Sequence, residues 1–151
     1  MLGLGNPILS DDGFGLAVVE RLRGREPEGV DVVGSEVAGL RLLELMRGYR
    51  KVVLVDALST GQSRPGTIVR FEGRDFRGGQ RWGAAHSIGV GTALDLGRGL
   101  GYDMPAEVVA YAVEAQDVET FGEELSPAVA AAVDEVIELV TTEAGGHWEA
   151  A

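Results

Sequence analysis

Short β-branched runs alternate along this chain with segments whose apolar residues recur at helical spacing. The clearest strand is predicted over residues 51–57, a nearly continuous apolar run, as expected for a parallel strand covered by helices on both faces. Shorter β-type runs predict four further strands, at residues 1–4, 30–35, 67–72 and 107–113. The pattern therefore predicts a buried central sheet.

Helical periodicity fills most intervals between these strands. Four helices are predicted, over residues 12–23, 40–46, 87–99 and 126–142. Asp11 and Asp12 are candidate caps for the free N–H groups of the first helix, and Gly39 leads into the second. Ser126 and Pro127 begin the last helix as N-cap and first helical residue. Residues 73–83 are predicted to form a loop.

Alternating strands and helices predict a three-layer α/β/α sandwich around a mostly parallel sheet. The strand at residues 67–72 follows the strand at 51–57 without an intervening helix, so we expect it to run antiparallel and the sheet to be mixed. A length of 151 residues suits a single domain with its own core. We assign this domain to residues 1–143 and expect a flexible tail over 144–151.

The amino-acid composition disfavours several classes of function. The chain contains no cysteine, which removes disulfides, thiolate ligands and a cysteine nucleophile, and fits a cytoplasmic protein. Neither a signal-peptide pattern nor a membrane-span pattern is present. The net charge of −11 disfavours nucleic acid as a partner, because such binding draws on Lys and Arg at phosphates. No long exposed apolar stripe is evident, so we expect a monomer.

Three residues at element boundaries form a candidate metal site. Asp12 precedes the first helix, Asp56 ends the strand at 51–57, and His86 precedes the third helix. Functional groups in α/β proteins gather outside the carboxyl ends of the strands, where such boundaries can meet. Two carboxylates and an imidazole suit a divalent ion such as nickel, zinc or manganese, which would also offset the repulsion between the acids.

Each of these residues also has a purely structural interpretation. Asp12 can serve as a helix cap, Asp56 can accept hydrogen bonds from loop amides, and His86 can be a cap or a satisfied polar residue. Asp11 is the alternative ligand to Asp12. A dinucleotide site is disfavoured because Gly3-Leu4-Gly5 lacks the third glycine of the fingerprint. The signatures of zinc proteases and of serine hydrolases, HExxH and GxSxG, are absent.

The motifs together resemble the nickel–iron hydrogenase maturation endopeptidases. The resemblance rests on Gly3-x-Gly5-Asn6, Asp11-Asp12-Gly13-x-Gly15, the strand ending in Asp56 and the histidine before a helix, His86. It covers nearly the whole chain and implies an α/β/α sandwich around a twisted mixed sheet. It also implies an enzyme that removes a C-terminal extension from the hydrogenase large-subunit precursor after nickel has been inserted.

The resemblance assigns roles to particular residues. Asp12, Asp56 and His86 are implied to contact the nickel that the precursor carries, although another divalent metal would also suit them. Asn6 and Gly39 are implied to contact the substrate. The sequence departs from the family at residues 35–39, Ser-Glu-Val-Ala-Gly, where a Gly-Gly-Thr/Ser type of turn is common. The first strand is also expected to be short, because only two residues precede Gly3.

Three other functions compete with this assignment. A peptidyl-tRNA hydrolase also begins with Gly-x-Gly-Asn-Pro, but it requires a histidine soon after this turn and a basic surface. A metal-dependent nucleotidase or phosphatase has an Asp-Asp-Gly sequence, but directly at the strand end. A non-catalytic nickel-sensing chaperone would keep the three candidate ligands and would bind the precursor without cleaving it.

Overall fold

A central five-stranded sheet organises the protein in this computed structural model, which describes residues 1–36, 39–76 and 88–145. The strands are β1 (Leu2–Leu4), β2 (Val33–Ser35), β3 (Lys51–Leu58), β4 (Ile68–Glu72) and β5 (Glu107–Glu114). Their order across the sheet is β2-β1-β3-β5-β4. Four strands are parallel, and β4 alone runs antiparallel, against β5.

Helices cover both faces of the sheet. They are α1 (Phe14–Leu22), α2 (Leu40–Met46), α3 (Ile88–Gly99), α4 (Pro127–Ala131) and α5 (Val133–Glu143). One core lies between the sheet and α2 and α3, and the other between the sheet and α1, α4 and α5. Alternate residues of β3 pack into the two cores: Leu54 packs into the core under α2 and α3, and Val55 into the core under α1, α4 and α5. The three-layer α/β/α architecture is confirmed.

Glycines allow α1 to pack directly on the backbone of β1 and β3. A Cβ atom added to Gly15 would lie 2.3 Å from the Leu4 carbonyl oxygen and 2.4 Å from that of Val55. A Cβ atom added to Gly3 would lie 2.2 Å from the Gly15 carbonyl oxygen. Because no larger residue fits, the Gly-x-Gly pairs at both ends of the first turn place the start of α1 against the carboxyl end of the sheet.

The structure corrects several details of the sequence interpretation. The last helix is divided at Ala132, whose N–H donates to the Val129 carbonyl oxygen at 3.1 Å, one residue short of the α-helical spacing. The segment Gly73–Phe76, predicted as loop, forms a short 3₁₀ helix. The strand β4 is antiparallel as expected, but its hydrogen-bonded neighbour is β5. Residue 58 extends β3 by one position.

The predicted side-chain caps are not used. The segment Ser10–Gly13 forms a 3₁₀ turn before α1, and the N-cap of α1 is Gly13, without a side-chain capping bond. Ser126 occupies the N-cap position of α4, but its hydroxyl bonds elsewhere. The expected short first strand is observed, with three residues in β1. Within the described residues, no helix is long and apolar enough to cross a membrane.

Candidate active site at the carboxyl edge of the sheet

Asp12 lies in the 3₁₀ turn between β1 and α1. The Asn6 N–H donates to both the Asp12 carbonyl oxygen (3.2 Å) and the Asp12 Oδ2 atom (3.1 Å). Asp12 is partly exposed. A Cβ atom added to Gly5 would lie 1.9 Å from the Asp12 carbonyl oxygen, so the chain can approach the turn this closely only at a glycine.

Asp56 lies near the carboxyl end of β3, directly beside β1. Its Cα register partner on β5 is Ala112, and the preceding residue, Val55, pairs with Gly3 of β1. Strand alternation places the Asp56 side chain on the α2 and α3 face, and it is fully buried. Its Oδ1 atom accepts a hydrogen bond from the Ala57 N–H at 2.8 Å. A carboxylate thus lies among the buried apolar residues of β3.

His86 lies outside the described residues, as does His147 in the tail. The described chain resumes with α3 at Ile88, and a Cβ atom added to Gly89 would lie 3.1 Å from the Gly39 backbone nitrogen. The start of α3 is therefore in close contact with the residue that precedes α2, on the sheet face that carries Asp56. Among the residues that the structure describes, no group of three His, Cys, Asp or Glu side chains could hold a metal ion.

Of the three predicted ligands, the structure thus brings Asp12 and Asp56 to the same edge of neighbouring strands. The two residues implied to contact substrate lie at that edge as well. Asn6 is partly buried and its Oδ1 atom accepts from the Ile8 N–H at 3.1 Å, which shapes the turn before Asp12. Gly39 has φ 78° and ψ −140° at the N-cap of α2, a left-handed conformation that favours glycine.

Asp11, the alternative ligand, has a structural role. It is fully buried, and its carboxylate accepts four hydrogen bonds from the loop between β5 and α4. The donors are the N–H groups of Gln116, Asp117 and Ser126 and the Ser126 hydroxyl, at 2.7 to 3.0 Å. Three of these bonds fall on the Oδ2 atom and one on the Oδ1 atom, so the Asp11 carboxylate joins the Asp12 turn to this loop.

Glu114 is a buried carboxylate at this edge that the sequence interpretation missed. It ends β5, and its Oε1 and Oε2 atoms accept from the Thr60 and Gly61 N–H groups and the Thr60 hydroxyl at 2.7 to 2.8 Å. It therefore fixes the loop that follows β3 and Asp56. The signal was available in the sequence, because an acid follows an apolar run here as it does at Asp56, although β3 continues for two residues beyond Asp56 and does not end there as predicted.

Comparison with known proteins agrees with the fold. The family model HycI, hydrogenase maturation protease, matches residues 16–143. The chain is 29% identical over 139 residues to HupD, a hydrogenase expression/formation protein of Rhodobacter capsulatus, covering 89% of this chain and 65% of HupD. The chain therefore spans slightly under two thirds of that relative's length.

Two solved structures are similar over almost the whole chain. The hydrogenase maturating endopeptidase HybD of Escherichia coli superposes with a TM-score of 0.77 at 26% identity, covering 97% of this chain and 93% of HybD. The nickel–iron hydrogenase maturation protease HybD of Thermococcus kodakarensis gives 0.76 at 29% identity, covering 95% and 96%. With the family model matched over most of the sequence, this chain belongs to the hydrogenase maturation protease family.

Proposed function

We propose that this protein is an endopeptidase that removes the C-terminal extension of a nickel–iron hydrogenase large-subunit precursor once nickel has been inserted. The observation that carries the proposal is the placement of Asp12 and Asp56 at the carboxyl edge of adjacent strands, in a chain of this family. In the same proposal, His86 is the third ligand, and the nickel arrives with the precursor as part of the substrate.

Two carboxylates and one imidazole give a recognition site for an ion that is already bound elsewhere. Three side chains leave coordination positions for the precursor's own ligands and for water. The Asp12 carboxylate is partly exposed and would be the first to meet the ion, whereas Asp56 is fully buried. The residues that bury Asp56 would therefore have to move when the precursor docks. Nickel would then reach Asp56 only when a correct substrate is bound.

Cleavage would follow from the charge of the nickel. A divalent ion near the scissile bond either polarises the peptide carbonyl or activates a water molecule. Either route ends with water adding to the carbonyl carbon, rupture of the C–N bond and a proton delivered to the leaving amine. The absence of cysteine from the sequence removes a thiol nucleophile and supports a route through water.

The decisive experiment mixes the purified protein with nickel-loaded and with nickel-free precursor and measures the mass of the large subunit. We expect a shortened subunit only with the nickel-loaded precursor. Cleavage of both forms at equal rates would contradict nickel recognition. Stable binding without cleavage would indicate the chaperone, and phosphate release from esters in the presence of manganese would indicate the nucleotidase.

Substitutions test the three ligands separately. Asp12→Asn, Asp56→Asn and His86→Ala should each lower the processing rate by at least ~100-fold, because each removes a ligand from the site where the charge of the ion acts. The matched controls are Asp95→Asn, an exposed carboxylate on α3, and His147→Ala in the tail, both of which should process normally. Circular dichroism and denaturation separate loss of activity from loss of fold. Normal processing by any of the three ligand variants would remove that residue from the site.

A further inference from the structure

The most exposed large apolar side chain of the described residues lies beside the candidate active site. Phe121 is 80% exposed, on the loop over residues 115–126 between β5 and α4. Ile8 and Leu40, which follow β1 and β2, are also exposed large hydrophobic residues. All three follow the carboxyl ends of parallel strands, so they surround the edge at which Asp12 and Asp56 lie.

Hydrogen bonds hold the backbone on both sides of Phe121 in place. The Ser10 hydroxyl donates to the Thr120 carbonyl oxygen at 2.8 Å, and the Ser10 N–H donates to the Gly122 carbonyl oxygen at 2.8 Å. The Gly122 N–H donates to the Ile8 carbonyl oxygen at 3.0 Å. Ser10 adopts φ 50°, a conformation rare for a non-glycine residue, which these bonds to the loop support.

Two aspartates fix the rest of this loop. The Asp117 Oδ1 atom accepts from the Glu119 and Thr120 N–H groups at 3.0 and 2.9 Å. The Asp11 carboxylate holds both ends of the loop, at residues 116–117 and at Ser126. The exposed ring of Phe121 is therefore carried by an ordered backbone. An ordered aromatic residue loses little conformational entropy when it is buried in a partner.

The loop that carries Phe121 has charges of a single sign. Residues 115–126 contain the acids Asp117, Glu119, Glu123 and Glu124 and no basic residue, and no Lys, Arg or His occurs between Arg98 and His147. The whole chain carries a net charge of −11. A surface of this kind attracts a positively charged partner over distance and repels an acidic one.

We infer that Phe121 is the docking anchor for the folded large-subunit precursor, and that it inserts into an apolar pocket bordered by Lys and Arg on that precursor. The inference rests on the proposed function, which supplies the partner. The Asp11 bonds connect the anchor to the Asp12 turn, so docking at Phe121 sets the position of the precursor relative to the carboxylates. The affinity for the precursor, and the position at which the precursor binds, are then set by a surface that is separate from the metal ligands.

Phe121→Ala tests the anchor, with Leu100→Ala as the matched control. Leu100 is 57% exposed but lies after α3, at the opposite edge of the sheet. We expect Phe121→Ala to raise both the Kd for the precursor and the KM for processing at least ~10-fold, with kcat and thermal stability unchanged. Leu100→Ala should leave all four quantities unchanged. A change of less than ~2-fold in Kd for Phe121→Ala, or an equal effect of Leu100→Ala, would overturn the inference.

The acidic border is tested by the double charge reversal Glu123→Lys and Glu124→Lys. It should slow association with the precursor and reduce the dependence of the association rate on salt. The matched control reverses two exposed acids of α5, Glu135→Lys and Glu138→Lys, which changes the net charge equally. Equal slowing by both pairs would show that net charge alone acts, and would remove the acidic loop from the inference.

Measuring binding and cleavage in parallel separates this inference from the proposed function. If the wild-type protein binds the precursor through Phe121 without cleaving it, the proposed activity fails and the docking site stands. If the wild-type protein cleaves the precursor and Phe121→Ala does so with the same KM, the activity stands and the docking site fails. A wild-type protein that neither binds nor cleaves would overturn both.

Discussion

Adjacent aspartates of the first turn differ sharply in their surroundings. Asp11 is fully buried with four donors on its carboxylate, whereas Asp12 is partly exposed and accepts one side-chain hydrogen bond, from the Asn6 N–H. The same residue type therefore occupies two different environments at consecutive positions. Asp11 connects the turn to a loop more than 100 residues away, whereas Asp12 is partly exposed at the proposed site.

Replacing the two aspartates by asparagine should separate these roles. In Asp11→Asn, an amide NH₂ replaces one acceptor oxygen and the charge is lost, so about 3 kcal/mol of unfolding free energy should disappear. In Asp12→Asn the loss should stay below ~1 kcal/mol, because the carboxylate is partly solvated. Urea denaturation of both variants measures the difference. Equal destabilisation would contradict the structural role of Asp11.

At the scale of elements, the contact between α1 and the sheet defines the site. The helix starts directly above β1 and β3 because Gly3, Gly5 and Gly15 remove the side chains that would separate the backbones. This close packing fixes the position of the Asp12 turn relative to the carboxyl end of β1. A small outward movement of α1 would displace Asp12 relative to Asp56, since Asp56 belongs to the sheet itself.

Gly15→Ala tests this packing. The added methyl group would lie 2.3 and 2.4 Å from two backbone carbonyl oxygens, so α1 must move away from the sheet. We expect a loss of about 2–3 kcal/mol in unfolding free energy, as for an overpacked core. Gly99→Ala is the matched control, because Gly99 ends α3 with open space around its Cβ position. It should be neutral or stabilise by up to ~1 kcal/mol. A neutral Gly15→Ala variant would show that α1 is not held against the backbone.

The elements themselves were largely predictable from local patterns. The apolar run of β3, the stripe of α1 and the alternation of strands with helices led to the correct architecture, because burial imposes these periodicities directly on the sequence. The division at Ala132 was not predictable, since neither glycine nor proline marks it. The hydrogen-bonded neighbour of β4 was also not predictable. It is β5, which comes later in the sequence and lies between β3 and β4 in the sheet.

The candidate site was predictable in part for a related reason. The position of Asp56 near the end of β3 followed from an acid after an apolar run, and the same signal at Glu114 was overlooked. Asp11 and Asp12 could not be distinguished by sequence, because the donors that occupy Asp11 come from residues 116–126. Long-range contacts of this kind leave no local pattern. The roles of Asp12, Asp56 and His86 as metal ligands stay predictions.

At the scale of the whole molecule, Glu143 connects three strands to the last helix. The Lys51 ammonium and the Tyr111 hydroxyl both donate to its carboxylate at 2.8 Å, and the Arg70 guanidinium donates at 3.2 Å. Lys51 begins β3, Arg70 lies on β4 and Tyr111 on β5. The network therefore fixes the end of α5 to the sheet, on the face opposite the Asp56 side chain, and it should affect stability without affecting processing.

This network predicts how stability depends on pH. Burial alone would raise the pKa of Glu143, but hydrogen bonds from Lys51, Tyr111 and Arg70 lower that pKa from 4.5 to about 2. As the pH falls from 4.5 to about 2, the unfolded chain takes up a proton at Glu143 before the folded chain does, so the stabilisation present above that range is lost across it. At neutral pH the contribution is on the order of 2–3 kcal/mol.

Glu143→Gln should remove most of this pH-dependent contribution. The unfolding free energy of the variant should lie about 2 kcal/mol below that of the wild type at pH 7, and the two should converge as the pH falls through about 2, the pKa of Glu143 in the folded protein. Urea denaturation across this pH range measures the difference in unfolding free energy between variant and wild type. The other carboxylates titrate in both proteins, so their effect cancels in this difference. Glu138→Gln, an exposed acid on the same helix, is the control and should parallel the wild type. A constant gap between Glu143→Gln and wild type at every pH would assign the loss to packing. Convergence at acid pH assigns it to the ion network, because only a protonated Glu143 makes the wild type electrostatically equivalent to the variant.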